Sequence, residues 1–132
     1  MYIDKFIEEI EIGLKILFSP SLSNRPRPDK KISNKINLSS AIKKKNAKLM
    51  RVNHSGEICA QALYRGQLLF NEDKKIEKSL QKAAGEEIDH LAWCEERIGE
   101  LNGKTSLLNP ILYIGSIGIG GIASIIDKKY NL

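Results

Sequence analysis

The chain has 132 residues, 21 basic against 16 acidic side chains for a net charge of +5, and 42% hydrophobic residues. That describes one domain with a modest core and excludes a disordered, collagenous or disulfide-scaffold class. The charge is uneven: residues 1–53 carry 12 basic and 5 acidic side chains, and residues 54–132 carry 9 and 11.

A basic front half can meet an anionic surface or simply be a solvated face. No zinc knuckle, RNA-binding aromatic motif or helix-turn-helix pattern accompanies it, so no nucleic-acid partner is expected. Lysine and isoleucine are both abundant, as in A/T-rich coding, and Lys43-Lys44-Lys45 is discounted as a designed patch for that reason. Cys59 and Cys94 fall within helical patterns and away from any CxxC. They read as small buried hydrophobes in a reducing compartment.

In chain order, residues 1–18 form an amphipathic helix with Ile3, Phe6, Ile7, Ile10, Leu14 and Leu17 on one side. The segment has no apolar core followed by a cleavage site and no transit-peptide character, so a bacterial chain without a secretory leader is expected. Residues 19–38, with Pro20, Pro26 and Pro28 among polar residues, read as a linker. A long helix over 39–72 follows, capped by Ser39 or Ser40 and interrupted around Gly56. Asn71-Glu72-Asp73 is a polar turn. The next helix, 74–102, stops at Asn102-Gly103, with the glycine as terminator.

Asn109-Pro110 then restarts a helix within the apolar segment 107–126. Its 20 residues carry no charge, and roughly 30 Å of helix is enough to cross a bilayer. Gly115, Gly118, Gly120 and Gly121 weaken the spanning reading. A helix dipping into a membrane surface is expected, with a spanning helix and an ordinary core helix as alternatives. The fold class is therefore all-α, a helical bundle.

Two helices carry anomalies. Steps of four and three along the second long helix give Ile76, Leu80, Ala83, Glu87, His90, Cys94, Ile98 and Leu101, an inward stripe interrupted by a glutamate and a histidine. Glu77, Lys78, Gln81, Lys82, Asp89, Glu96 and Glu100 lie elsewhere and are expected to be solvated. On the first long helix the stripe is Met50, His54, Glu57, Gln61, Tyr64 and Leu68. In a hairpin that turns at 71–73, Glu57 meets Glu87 and His90, because these positions are equidistant from the turn.

Two enclosed carboxylates and an imidazole are costly unless neutralised. A metal ion does so, and oxygen ligands with one imidazole suit iron or manganese better than zinc. The alternative is bland, since Glu and His three residues apart pair on many surfaces without a metal. His54 is expected to be a hydrogen-bonded core residue, with Tyr64 as packing and Cys94 as filler.

The motifs LMRVNHSGEICAQALYRGQ (49–67) and AAGEEIDHLAWCEERIGELNGKTSLLNPILYIGS (83–116), with the leader LFSPSLSNRPRP, closely resemble the demethoxyubiquinol hydroxylases of ubiquinone biosynthesis. The resemblance implies a ferritin-like, membrane-associated di-iron monooxygenase. Such an enzyme uses O2 to hydroxylate the ring of a polyprenylated demethoxyubiquinol, and the quinol itself can supply electrons. It implies Glu57, Glu87 and His90 as iron ligands, Glu57 terminal on one iron and Glu87 bridging two. No other catalytic residue follows.

It also implies peripheral attachment to the cell inner membrane on the cytoplasmic side. Family members have a third-helix glutamate and a second Glu-x-x-His, which this sequence lacks. The expectation is therefore the N-terminal helices of the bundle and half of the ligands. The missing helices would come from a partner polypeptide or from a homodimer, whose two hairpins restore the ligand count. The alternative function is a truncated non-catalytic, or a homodimeric iron-binding, helical protein.

Overall fold

The computed structural model describes residues 2–29 and 37–130, so residues 30–36 of the expected linker lie outside the described residues. Among the described residues the fold has four helices: α1 (Tyr2–Phe18), α2 (Ser40–Phe70), α3 (Lys74–Glu100) and α4 (Asn109–Tyr130). No strand occurs among the described residues, and the chain is all-α.

Capping explains where the long helices begin and end. The Ser39 hydroxyl accepts from the Ile42 amide and opens α2. The Asp73 carboxylate accepts from the amides of Lys75 and Ile76 and opens α3. No interruption occurs at Gly56, and α2 runs unbroken through it, because one glycine weakens a long packed helix without ending it.

At the end of α3 the Gly103 amide donates to the Ile98 carbonyl and the Asn102 amide to that of Gly99, the paired bonds of a Schellman stop. The left-handed residue is Asn102, at φ 59°, and not the expected Gly103. Asparagine tolerates that conformation. Gly103 answers a different need, since a Cβ on it would lie 2.8 Å from that of Ala47.

Helix α2 is the hub, packing against α3, α4 and α1. The tight turn at 71–73 makes α3 antiparallel to it. Helix α4 runs parallel to α2: Ser55 donates to Asn109 at 2.7 Å near one end, and Gly66 meets Ile117 and Gly121 farther along. A Cβ at Gly66 would come within 2.2 Å of the Ile117 carbonyl oxygen, and one at Gly120 within 2.3 Å of that of Leu63. These glycines let two backbones touch, the same solution that small residues provide between membrane helices. Helix α1 runs antiparallel to α2, pinned by an ion pair between buried Glu9 and Arg65. Ile16, Ile58, Ala62, Leu91 and Tyr113 form the buried cluster where the four helices meet.

Much apolar surface stays outside. Helix α1 exposes Phe6, Ile10 and Leu14, and α4 exposes Ile111 (69%), Ile114 and Ile122. Between these faces lies an apolar groove of about 710 Å³. By length and composition Asn109–Lys129 could cross a membrane.

Candidate metal centre

Hairpin packing determines which side chains converge. Glu57 projects from α2, and Glu87 and His90, one turn apart, project from α3. His90 Nδ1 lies 3.4 Å from Glu87 Oε2 and 3.7 Å from Glu57 Oε2. One potential ligand atom from each of the three lies within 4.8 Å of the others. The Glu87 side chain is 17% exposed and that of His90 is 40%, so the cluster is enclosed by the two helices and open on one side.

The donor set suits a hard, oxygen-preferring cation with one imidazole, as iron and manganese are. One observation fits a cation directly: Glu87 Oε2 is buried without a hydrogen-bond partner among the described residues. Native structures rarely leave a buried carboxylate oxygen in that condition. Gln61, one turn from Glu57 on the same stripe, is also buried with an unpartnered Oε1.

His54 is a structural node. It is 2% exposed. Its Nδ1 accepts from the Asn109 amide at 3.2 Å, and its Nε2–H donates to Glu95 Oε1 at 3.2 Å. Glu95 in turn accepts from the Ser21 backbone amide at 2.9 Å. One imidazole thus ties together α2, α3, the start of α4 and the leader. Cys94 is buried, and burial, aided by the Glu95 and Glu87 carboxylates, pushes its thiol pKa up.

Sequence reasoning missed the outer face of α3. Asp89, expected in solvent, is 5% exposed. It accepts from the Asn24 amide at 2.9 Å, from Ser23 Oγ, and from Arg25 Nε at 2.8 Å. These bonds, the one from Arg25 foremost, hold its carboxyl below the usual carboxylate range. Trp93 donates its indole N–H to Ser23 Oγ at 3.0 Å and to the Arg25 carbonyl at 3.1 Å. Buried Arg27 pairs with Glu100 at 2.7 Å and with Asp29 at 2.7 Å.

The segment after α1 is therefore a strap laid along α3. A signal existed: Asp89, Trp93, Glu96 and Glu100 follow one another at four, three and four residues, a second stripe at helical spacing. Opposite it lie the arginines of SNRPRP.

The family described as ubiquinone biosynthesis protein COQ7 matches residues 44–132. A 3-demethoxyubiquinol 3-hydroxylase from Chromobacterium violaceum is 49% identical over 130 residues, covering 98% of this chain and 63% of the relative. Relatives of the same name from Laribacter hongkongensis and Legionella pneumophila are 46% and 44% identical, over 98% and 99% of this chain and 63% and 62% of their own length. The chain thus spans less than two thirds of the curated relatives it matches. No solved structure matches it.

Proposed function

We propose a function from one premise: the chain belongs to the family of ubiquinone biosynthesis protein COQ7. It contributes the first ligand-bearing hairpin of an iron-dependent hydroxylase that acts, with O2, on the ring of a demethoxyubiquinol. Glu57, Glu87 and His90 would hold the metal. The observation that carries this reading is their convergence, two carboxylates and an imidazole with ligand atoms within 4.8 Å.

Iron bound there would supply the redox chemistry that O2 requires and that no protein side chain in the cluster provides. The residues themselves hold the cation and orient it. Glu57 and Glu87 neutralise its charge from opposite helices, and His90 contributes a ring nitrogen from the same turn as Glu87. A closed two-metal site of this type needs a second such set. No second Glu-x-x-His occurs among the 132 residues, so the reading assigns the complement to polypeptide outside them.

The exposed apolar faces of α1 and α4 support placement on a membrane surface, where a polyprenylated quinol resides. The reading places the chain peripherally on the cytoplasmic side of an inner membrane. The test is anaerobic iron uptake by the purified chain, together with oxygen-dependent conversion of a short-chain demethoxyquinol by the chain joined to polypeptide that completes the bundle. Both should disappear in Glu87→Ala. Full conversion by that variant would end the proposal.

A further inference from the structure

His90 needs an orienting partner. A metal-binding histidine ordinarily has its ring fixed by a hydrogen bond from its other nitrogen. Here neither ring nitrogen has a hydrogen-bond partner among the described residues, and Nδ1 faces the two carboxylates at 3.4 and 3.7 Å. What the ring does have is Trp93, one turn along α3, with ring centroids 5.4 Å apart and planes inclined by 47°.

Trp93 is itself held firmly. Its N–H is shared between Ser23 Oγ and the Arg25 carbonyl. The Arg25 guanidinium sits over its ring, 5.2 Å from the centroid, a favourable cation–π placement. Asp89 then anchors Ser23, Asn24 and Arg25 together. The chain of contact runs from Asp89 to the strap, from the strap to the indole, and from the indole to the imidazole.

We infer that Trp93, clamped by the strap Ser21–Arg25, is the positioning residue for His90, doing by packing what a second hydrogen bond does in other metal sites. The inference rests on the reading of His90 as a ligand. It makes the leader part of the ligand-orienting apparatus and not a passive connection. Without the strap the indole loses both acceptors and its cation, and the imidazole, already 40% exposed, can rotate away from the carboxylates.

The test uses the intact chain, first metal-free and then titrated with Co2+ as an optical probe. In the wild type the His90 ring protons should be displaced by the Trp93 ring current. Trp93→Ala should abolish that displacement and weaken Co2+ binding by roughly ten- to hundredfold, the usual loss when an outer orienting group is removed. Trp93→Phe keeps a ring but no N–H donor and should fall between. Arg25→Ala, which removes the Asp89 ion pair and the guanidinium beside the indole but no contact with His90 or the two glutamates, should shift the same His90 resonances and weaken Co2+ binding while α-helical content stays at the wild-type level.

A purely structural role would lower the melting temperature and leave Co2+ binding unchanged at 20 °C, together with the His90 resonances in Arg25→Ala, which keeps the indole. That result in Trp93→Ala overturns the inference; if that variant fails to fold, the same result in Arg25→Ala and Trp93→Phe does. Should the wild type take up no Co2+, the ligand reading fails, and the His90 resonances of Arg25→Ala, in which the indole is kept, still decide whether the clamped Trp93 positions the ring.

Discussion

Gly120 of α4 sits so close to Leu63 of α2 that a methyl group there would come within 2.3 Å of the Leu63 carbonyl oxygen. The obstacle is backbone, which cannot rotate aside as a side chain can. Gly120→Ala should therefore push the helices apart and destabilise the chain by about 1–3 kcal/mol or more. Gly115→Ala, with nothing within 4 Å of its Cβ position, should be neutral or slightly stabilising, because alanine favours helix. Chemical denaturation of the pair measures the contrast.

Glu87 carries a buried oxygen with no hydrogen-bond partner among the described residues, a condition suited to binding and costly for folding. Glu87→Gln should leave the metal-free protein as stable as the wild type or more so, while removing metal uptake. Thermal melting without metal, followed by isothermal titration with Fe2+, reads both halves of this prediction.

Removal of His54 takes a partner from buried Asn109 and from half-buried Glu95. His54→Ala should cost about 1–3 kcal/mol for each polar group left unsatisfied, with solvent entering the cavity recovering part of it. Glu57, one turn away on the same helix, should keep its place, so metal binding measured well below the melting temperature should persist.

Tyr113 is 5% exposed and its hydroxyl lacks a partner. Burial, aided by the nearby Glu9 carboxylate, pushes its pKa from 10.0 to about 12. The folded state therefore holds the phenolic proton more tightly than the unfolded state. The stability this provides is complete below pH 10 and lost as pH rises toward 12. Absorbance at 295 nm should show one late-titrating tyrosine, absent in Tyr113→Phe, whose alkaline stability profile should be correspondingly flatter.

Ile111 and Ile114 stand outward on α4, 69% and 67% exposed. Replacing both by glutamate should sharply reduce cosedimentation with phospholipid vesicles, since each substitution removes apolar burial and adds a charge. Co2+ binding by the same variant should be unchanged, because neither residue approaches the cluster.

The helices were legible because their signals are local: Ser39 or Ser40 as a cap, three-four spacing along α2 and α3, and a polar turn at 71–73. The convergence of Glu57 with Glu87 and His90 was also legible, because a short turn converts sequence distance into height along a hairpin. The strap was not. Its bonds to Asp89, Trp93 and Glu100 join residues more than sixty positions apart, and proline-rich composition resembles a loose linker whether or not it is docked. The glycines of the last helix were read for their low helix propensity. Their packing role depends on which neighbour approaches, and no local pattern reveals that.

Ser21 is fastened to Glu95 by its amide, and α1 ends at Phe18. Three residues of fully extended chain reach roughly 10 Å. The amphipathic helix is accordingly an outrigger on a short spar, with no slack to dive deeply into a bilayer alone. Under the proposed function, any lift or tilt that lipid imposed on it would pull on the same rod that bears Glu87 and His90, so a grip on a greasy surface and the geometry of the proposed ligands would be mechanically joined.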